Sequence, residues 1–179
     1  MEDKYRPSGK DYLTVNDNKI LKIDREYIKY LKLLAEKNSM RKCTMCLHND
    51  IREHVHEMIN VYPQETYVSP HSHPLKTETK IIIEGKMLIM LFDIRGEILE
   101  EFIMEREGFF SFRVDKGIIH TIIPLTDIVY YEIISGPFVG KNDNVFYEWA
   151  PKPDNDTEIK KWMFSMKQKS KILKEELGE

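Results

Sequence analysis

The sequence predicts a mainly β protein, an antiparallel sandwich or barrel with one helix before it and one after it. From about residue 42 to 135, short runs rich in Val, Ile, Phe and Tyr alternate with turn signals such as Glu84-Gly85. No helical pattern interrupts these runs, so the crossover helices that a parallel sheet needs are missing. Many short strands at regular spacing are typical of a sandwich or barrel.

Two segments outside this region carry helical signals. Asp24 is expected to cap a first helix that ends near Asn38-Ser39, because its carboxylate can accept the free N–H groups of the first turn. Apolar side chains follow at helical spacing: Tyr27, Leu31, Leu34 and Ala35. A second helix is expected from about residue 156, capped by Asp156. Its partial apolar stripe comprises Ile159, Trp162, Met163, Met166 and Leu173.

The predicted organisation is one barrel with additions at both ends. Residues 1–41 form an N-terminal arm and helix, 42–153 the barrel, and 154–179 the C-terminal helix. Within the arm, 1–23 is expected to be an extended arm or an edge strand. The predicted strands are HEMINVY, TKIIIE, KMLIMLF, EILEEFIM, FFSFR, IIHTIIP and IVYYEII.

Composition excludes several classes of function. The 179 residues contain 27 Lys and Arg against 30 Asp and Glu, a formal net charge of −3, whereas nucleic-acid binding needs a basic excess. The first residues have no apolar signal core and no run is long enough to span a bilayer, so we expect a cytoplasmic protein with no membrane partner. Two cysteines do not make a disulfide scaffold.

The stretch PHSHPLKTETKIIIEG, residues 70–85, predicts a metal site. On a strand, His71 and His73 point to the same face. Glu78 has the opposite parity, so the chain must bend before it, and Gly85 provides a tight turn after it. His120, in the middle of an apolar strand, offers a third imidazole. Such ligands suit a divalent transition metal, with iron, manganese, nickel and zinc all possible.

Two segments resemble the two conserved motifs of the cupin superfamily. HSHPLKTETKIIIEG resembles the first and GFFSFRVDKGIIH the second. Three positions depart from the pattern: Glu65 stands in place of Gly, Asp115 of Pro, and Pro124 of Asn. The resemblance implies a cupin-type antiparallel β-barrel or jelly roll, with one metal ion at His71, His73, Glu78 and His120.

A narrower resemblance covers roughly residues 24–153. The segments RKCTMCLH, YVSPHSHP, LFDIRGE and GIIHTIIPL are similar to those of WbuC-type cupin metalloproteins. The most specific feature runs from Gly136-Pro137 to Trp149-Ala150-Pro151. This family is associated with bacterial O-antigen and surface-polysaccharide gene clusters. The resemblance implies that setting and a metal site, but no particular reaction.

The two cysteines and the other three histidines have simpler interpretations than metal binding. Cys43 and Cys46 could be half of a zinc site, but a second pair is missing and their strand parity differs, which favours small buried hydrophobic residues. His54 and His56 share the His-x-His spacing without the carboxylate and turn that follow at the first pair. With His48, they are interpreted as solvent-facing residues or residues of the pocket rim.

Along each strand of a small barrel, side chains alternate between the inside and the outside. The inward positions give candidate catalytic and substrate-binding residues. Glu132 or Tyr130 would move a proton, and Lys80 would face the same side as Glu78. Tyr67 lies in the approach to the histidines and Arg113 near the mouth, where they would bind substrate. Each of these residues also has an ordinary structural interpretation.

Two functions remain open from the sequence. One is a metalloenzyme acting on a sugar or sugar nucleotide, as an isomerase or epimerase, a hydrolase or an oxygenase. The other is a non-catalytic cupin that binds a saccharide-like small molecule. A homodimer is expected, because residues 1–23 and the C-terminal apolar stripe need a surface to pack against.

Overall fold

The protein is a two-sheet β-sandwich with helices at both ends. The structure is a computed structural model that describes residues 5–7, 12–15, 20–38 and 41–178. The helices are α1 (Arg25–Lys37), α2 (Asp156–Lys169) and α3 (Lys171–Leu177). The strands are β1 (Tyr5–Pro7), β2 (Tyr12–Val15), β3 (Cys43–Cys46), β4 (Val55–Tyr62), β5 (His71–Ser72), β6 (Glu78–Glu84), β7 (Met87–Phe92), β8 (Ile98–Met104), β9 (Ser111–Val114), β10 (Ile119–Pro124), β11 (Ile128–Ser135) and β12 (Val145–Phe146).

The described strands divide into two sheets. The first has the order β1-β2-β3-β4-β11-β6-β9 and the second β12-β5-β10-β7-β8. Every pairing is antiparallel except that of β2 with β3. This confirms the predicted mainly β fold with helices at both ends. It is an open sandwich, however, because the pairings of the described strands do not join the two sheets into a closed barrel.

The seven predicted strands are all present, and three short ones were not predicted as such: β3, β5 and β12. The turn between β6 and β7 depends on Gly85, as expected. Its φ is +84°, and a Cβ there would lie 2.1 Å from the carbonyl oxygen of Asp127. A larger residue would therefore be strained by its backbone and would also collide with Asp127.

Helix α1 packs on the outer face of the first sheet. The Asp24 side chain caps it by accepting a hydrogen bond from the Tyr27 N–H at 3.0 Å, as predicted. The helix ends at Lys37, so Asn38 is its C-cap, while Ser39 lies outside the described residues. Leu31 and Ala35 are fully buried against a layer that includes Cys43, Met45, Ile59, Val61 and Val129.

The C-terminal segment differs from the single predicted helix. The N-cap of α2 is Asn155, whose side chain accepts from the Glu158 N–H at 3.2 Å, and Asp156 is the first helical residue. Ser170 is buried with extended backbone, so it ends α2 and caps α3 through the Leu173 N–H. Serine is favoured at helix caps because its hydroxyl group can hydrogen-bond to backbone groups that the helix itself leaves unpaired.

The apolar stripe of α2 is covered within the chain. Ile159, Met163 and Met166 pack against the second sheet, in a cluster with Leu88, Met90, Phe92, Ile103 and Ile123. The stripe therefore needs no partner subunit. The described parts of the arm, β1 and β2, form the edge of the first sheet. The homodimer stays a prediction.

The packing of α1 can be tested with two leucines of the same helix. Leu31→Ala should lower the free energy of unfolding by about 2–5 kcal/mol, because it opens a cavity under the helix. Leu33 is 53% exposed, so Leu33→Ala should change it by less than about 0.5 kcal/mol. Urea denaturation followed by circular dichroism measures both. Equal losses would contradict the packing described here.

Candidate metal centre

Three histidines converge between the two sheets. His71 lies on β5 and is paired directly with His120 on β10, while His73 follows β5 by one residue. One ring nitrogen from each of the three lies within 4.8 Å of the other two, so the three could hold a metal ion. The predicted convergence of His71 and His73 is thus present, with ring centroids 4.9 Å apart.

Backbone carbonyl groups determine which nitrogen of each ring is free. The Nδ1 atoms of His71, His73 and His120 lie 2.8, 3.1 and 3.0 Å from the carbonyl oxygens of Ser69, Asp143 and Ile118. A carbonyl oxygen only accepts, so each Nδ1 must carry the proton and each neutral ring has its lone pair on Nε2. Metal-binding histidines are oriented in this way.

Burial keeps the His71 ring neutral. Loss of solvent, reinforced by the nearby His120, lowers the pKa of His71 to about 3. For His73, the effect of burial is outweighed by Glu78, which raises its pKa. A neutral imidazole is the form that binds a metal.

Glu78 reaches the same point from the opposite sheet. It begins β6, is buried, and places Oε1 2.5 Å from His120 Nε2 and Oε2 3.5 Å from His73 Nε2. Burial would raise its pKa, but the charge of Lys80 and contacts with His120 and His73 hold the pKa well below its usual range. The side chain is therefore a carboxylate.

These atoms fit a cation. His73 Nε2, His120 Nε2 and both Glu78 oxygens are buried, and none makes an aligned hydrogen bond, although the Lys80 ammonium lies close to Glu78 Oε2. With Nδ1 protonated, each Nε2 offers a lone pair to a carboxylate that also offers lone pairs. Buried polar atoms are rarely left without partners, and a cation at the common point would satisfy all four.

A row of polar side chains extends from the site across the first sheet. Lys80 Nζ lies 2.5 Å from Glu78 Oε2 and 3.7 Å from Glu132 Oε1. Asn60 donates to Glu132 Oε2 at 2.8 Å and accepts from the Thr44 hydroxyl at 2.6 Å. The row follows the strand order β6, β11, β4 and β3, with Lys80 opposite Glu132 and Asn60 opposite Thr44.

The two charged groups of the row have shifted pKa values. Burial raises the pKa of Glu132, and the charge of Glu78 adds to this rise while that of Lys80 opposes it. Burial alone would lower the pKa of Lys80, but the charges of Glu132 and Glu78 outweigh it and raise the pKa. Lys80 is thus a cation held between two carboxyl groups.

A cavity of about 490 Å³ opens beside this site. Its wall includes two of the histidines and the end of the polar row: His71, His73, Glu132 and Asn60. The volume lies within the range of small-molecule sites. The cavity therefore joins a candidate metal site to the half-buried carboxyl group of Glu132, whose pKa is raised.

The other predicted site residues lie in different places. Tyr130 is fully buried and packs edge-on against Tyr62, 5.4 Å between ring centroids, so it lies behind the cavity wall. Burial, with Tyr62 and Glu132, raises its pKa well above the usual range. Tyr67 donates its hydroxyl to Pro151 O at 2.9 Å, and the exposed Arg113 pairs with its neighbour Asp115.

Three further residues line the wall: the sequence predicted solvent or pocket-rim positions for His48 and His56, and a buried hydrophobic position for Cys46. His48 and His56 stack with their centroids 4.1 Å apart and both line the cavity, as does Cys46, whereas His54 is exposed. Strand parity is the sequence feature that could have placed Cys46 in the wall, because Cys46 and Thr44 share the inner face of β3. Cys43 faces the other way, into the layer beneath α1.

A buried ion pair fixes the loop that orients His73. Lys76 Nζ lies 3.0 Å from Asp143 Oδ1, and both side chains are buried. The Asp143 carbonyl oxygen is the group that accepts from His73 Nδ1. Three residues later, Phe146 of β12 pairs with His71. The loop after β11 therefore supports two of the three histidines.

Comparison with known proteins gives limited matches. A family model for a domain of unknown function (DUF6016) matches residues 23–104, just under half of the chain. No curated protein matches the chain. No helix among the described residues is long and apolar enough to cross a membrane.

Similar solved structures include the capsular polysaccharide assembling protein CapF from Staphylococcus aureus, 22% identical over 54% of this chain and 27% of that one, with a TM-score of 0.47. L-ribose isomerase from Cellulomonas parahominis is 12% identical over 59% of this chain and 68% of its own, with a TM-score of 0.49. Oxalate decarboxylase from Bacillus subtilis is 14% identical over 54% and 24%, with a TM-score of 0.42. This chain thus spans about a quarter of the CapF and decarboxylase chains.

The thiol of Cys46 provides a test of the cavity wall. Burial, with a smaller effect of the Glu132 charge, raises its pKa to about 11. Because only the thiolate reacts, alkylation of the folded protein should be slow at pH 8 and rise about tenfold per pH unit until near pH 11. Glu132→Gln should speed it by removing the charge. Fragment-ion mass spectrometry separates Cys46 from Cys43, and a plateau near pH 9 would contradict this environment.

Proposed function

We propose that this chain is a metal-dependent cupin enzyme of the WbuC type that acts on a sugar or sugar-nucleotide intermediate of bacterial surface-polysaccharide metabolism. One observation carries the metal part: His73 Nε2, His120 Nε2 and both oxygens of Glu78 are buried, close together and without aligned hydrogen bonds. His71, His73, Glu78 and His120 would hold one divalent transition metal. When bound, it would supply Lewis-acid polarisation of a substrate oxygen.

We assign the proton transfer to Glu132. It lines the cavity, and Asn60 holds its Oε2. Oε1 lies 3.7 Å from Lys80 Nζ, an ion-pair distance that is too long for a hydrogen bond, so this oxygen can still accept a substrate proton. A raised pKa brings a carboxyl group closer to the operating pH, where acid–base catalysis is efficient.

Lys80 and Tyr130 receive supporting roles. Lys80 contacts Glu78 and Glu132, so it fixes the position and charge of both carboxyl groups. Tyr130 packs behind Tyr62, which is itself part of the cavity wall. Tyr67 and Arg113 do not line this cavity, so we do not propose them as substrate-binding residues.

The mixture of polar and apolar side chains in the cavity wall supports the saccharide part of the proposal. Amide, imidazole and carboxyl groups alternate there with apolar side chains: Asn49, Asn60, Asn144, Met58, Ile134 and Phe138. Sugars present hydroxyl groups and C–H faces together, so they match a mixed surface of this kind. The resemblance of the sequence to WbuC-type proteins points in the same direction.

Metal content tests the first half of the proposal. Protein purified without a chelating tag should carry close to one transition-metal ion per chain. His120→Ala should reduce the occupancy sharply, because it removes one ligand and the imidazole that lies beside Glu78 Oε1. His54→Ala, at an exposed histidine, is the matched control and should retain the ion. Elemental analysis measures both, and full retention in His120→Ala would rule out this ligand set.

The role of Glu132 has its own test. Metal-loaded protein is incubated with free sugars and nucleotide sugars, and turnover is followed by NMR. Glu132→Gln should lower turnover about 10²- to 10⁴-fold without changing metal content, because only the proton transfer is lost. Glu57→Gln is the control, since Glu57 lies at an adjacent strand position and binds the Tyr131 hydroxyl instead. Binding without turnover in the unmodified protein would indicate a saccharide-binding cupin.

A further inference from the structure

The charged groups of the cavity are paired within the protein. Among the described residues that line it, the cation is Lys76, which lies 3.0 Å from Asp143. Lys80, behind the wall, contacts Glu78 and Glu132. At the other end of the lining, Asp50 is paired with Arg52 at 2.7 Å. The described part of the cavity thus offers no uncommitted lysine or arginine to an anionic ligand.

Several polar atoms of the lining are acceptors. Asn144 Oδ1 is buried without a hydrogen-bond partner. His48 Nδ1 faces the carbonyl oxygen of Glu57, and His56 Nε2 that of Ile51, so these nitrogens donate and the other nitrogen of each ring, when neutral, accepts. The amide groups of Asn49 and Asn144 add N–H donors. A ligand with hydroxyl groups, which both donate and accept, matches this lining.

We propose that the part of the substrate that enters this cavity is an uncharged, hydroxyl-rich sugar without a phosphate group. The inference rests on the proposed function and narrows its substrate from sugars and sugar nucleotides to the free sugar or an uncharged glycoside. Hydroxyl groups satisfy Asn144 and the two imidazoles by donating to them. A phosphate dianion has no proton to donate to these acceptors, and the lysine of the lining is already paired with Asp143.

Matched ligands test the inference directly. Calorimetry of the metal-loaded protein would use glucose, galactose, mannose and N-acetylglucosamine, each as the free sugar, the 1-phosphate and the nucleoside-diphosphate conjugate, with glucosamine as a cationic comparison. At least one free sugar should bind about tenfold or more tightly than its own phosphorylated forms. Tighter binding of a phosphorylated form, or of glucosamine over glucose, overturns the inference and leaves the proposed function standing. No binding by any form overturns the proposed function and this inference with it.

Two substitutions locate the effect in the cavity. Asn144→Leu removes the unpartnered acceptor and should weaken free-sugar binding about 3- to 10-fold, while Asn142→Leu, at an exposed position on the same loop, should not. Asp143→Asn keeps the shape but leaves Lys76 without its carboxylate, so it should raise the affinity for the 1-phosphate relative to the free sugar. Unchanged relative affinities in both Asn144→Leu and Asp143→Asn would contradict the assignment to this cavity.

Discussion

The burial of the Glu78 carboxylate between the two sheets is the constraint on which the rest of the site depends. An ionised carboxyl group away from water is costly unless several partners surround it. Lys80 provides one from the same sheet, and His120 and His73 provide others from the opposite side. Because Glu78 needs partners from both sheets, it sets the distance between the two sheets around this residue. It also explains why a lysine can be buried beside a cluster of imidazoles.

Backbone carbonyl groups orient the three imidazole rings of the site. Each of the three imidazoles is oriented by one carbonyl oxygen, and these come from three different segments, at Ser69, Asp143 and Ile118. The tautomers are thus set by main-chain geometry and not by an ionisable side chain. The buried ion pair between Lys76 and Asp143 further supports the Asp143 segment. The rings are held in position by the protein alone.

The sequence predicted the fold class, the extent of α1 and the meeting of His71, His73 and His120, because these depend on regular periodicity and short spacings. Periodicity assigns a face only where a strand is regular. It could not bring His48 and His56 into contact, since they lie on either side of an irregular connection. Proximity in sequence to the histidines likewise does not place Tyr67 in the cavity wall, since its hydroxyl group donates to Pro151. The break at Ser170 depends on its burial, which no local pattern encodes.

The four candidate metal ligands come from both sheets, and this has a consequence for folding. Neither sheet alone contains the whole site, so it forms only when the two sheets dock. Contacts of this kind join distant parts of the chain and are expected late in folding. An ion that binds only the docked form would stabilise the entire domain, by about 2.7 kcal/mol at a free concentration one hundred times its dissociation constant. Metal supply would then influence how long the protein survives in the cell, apart from any chemistry it performs.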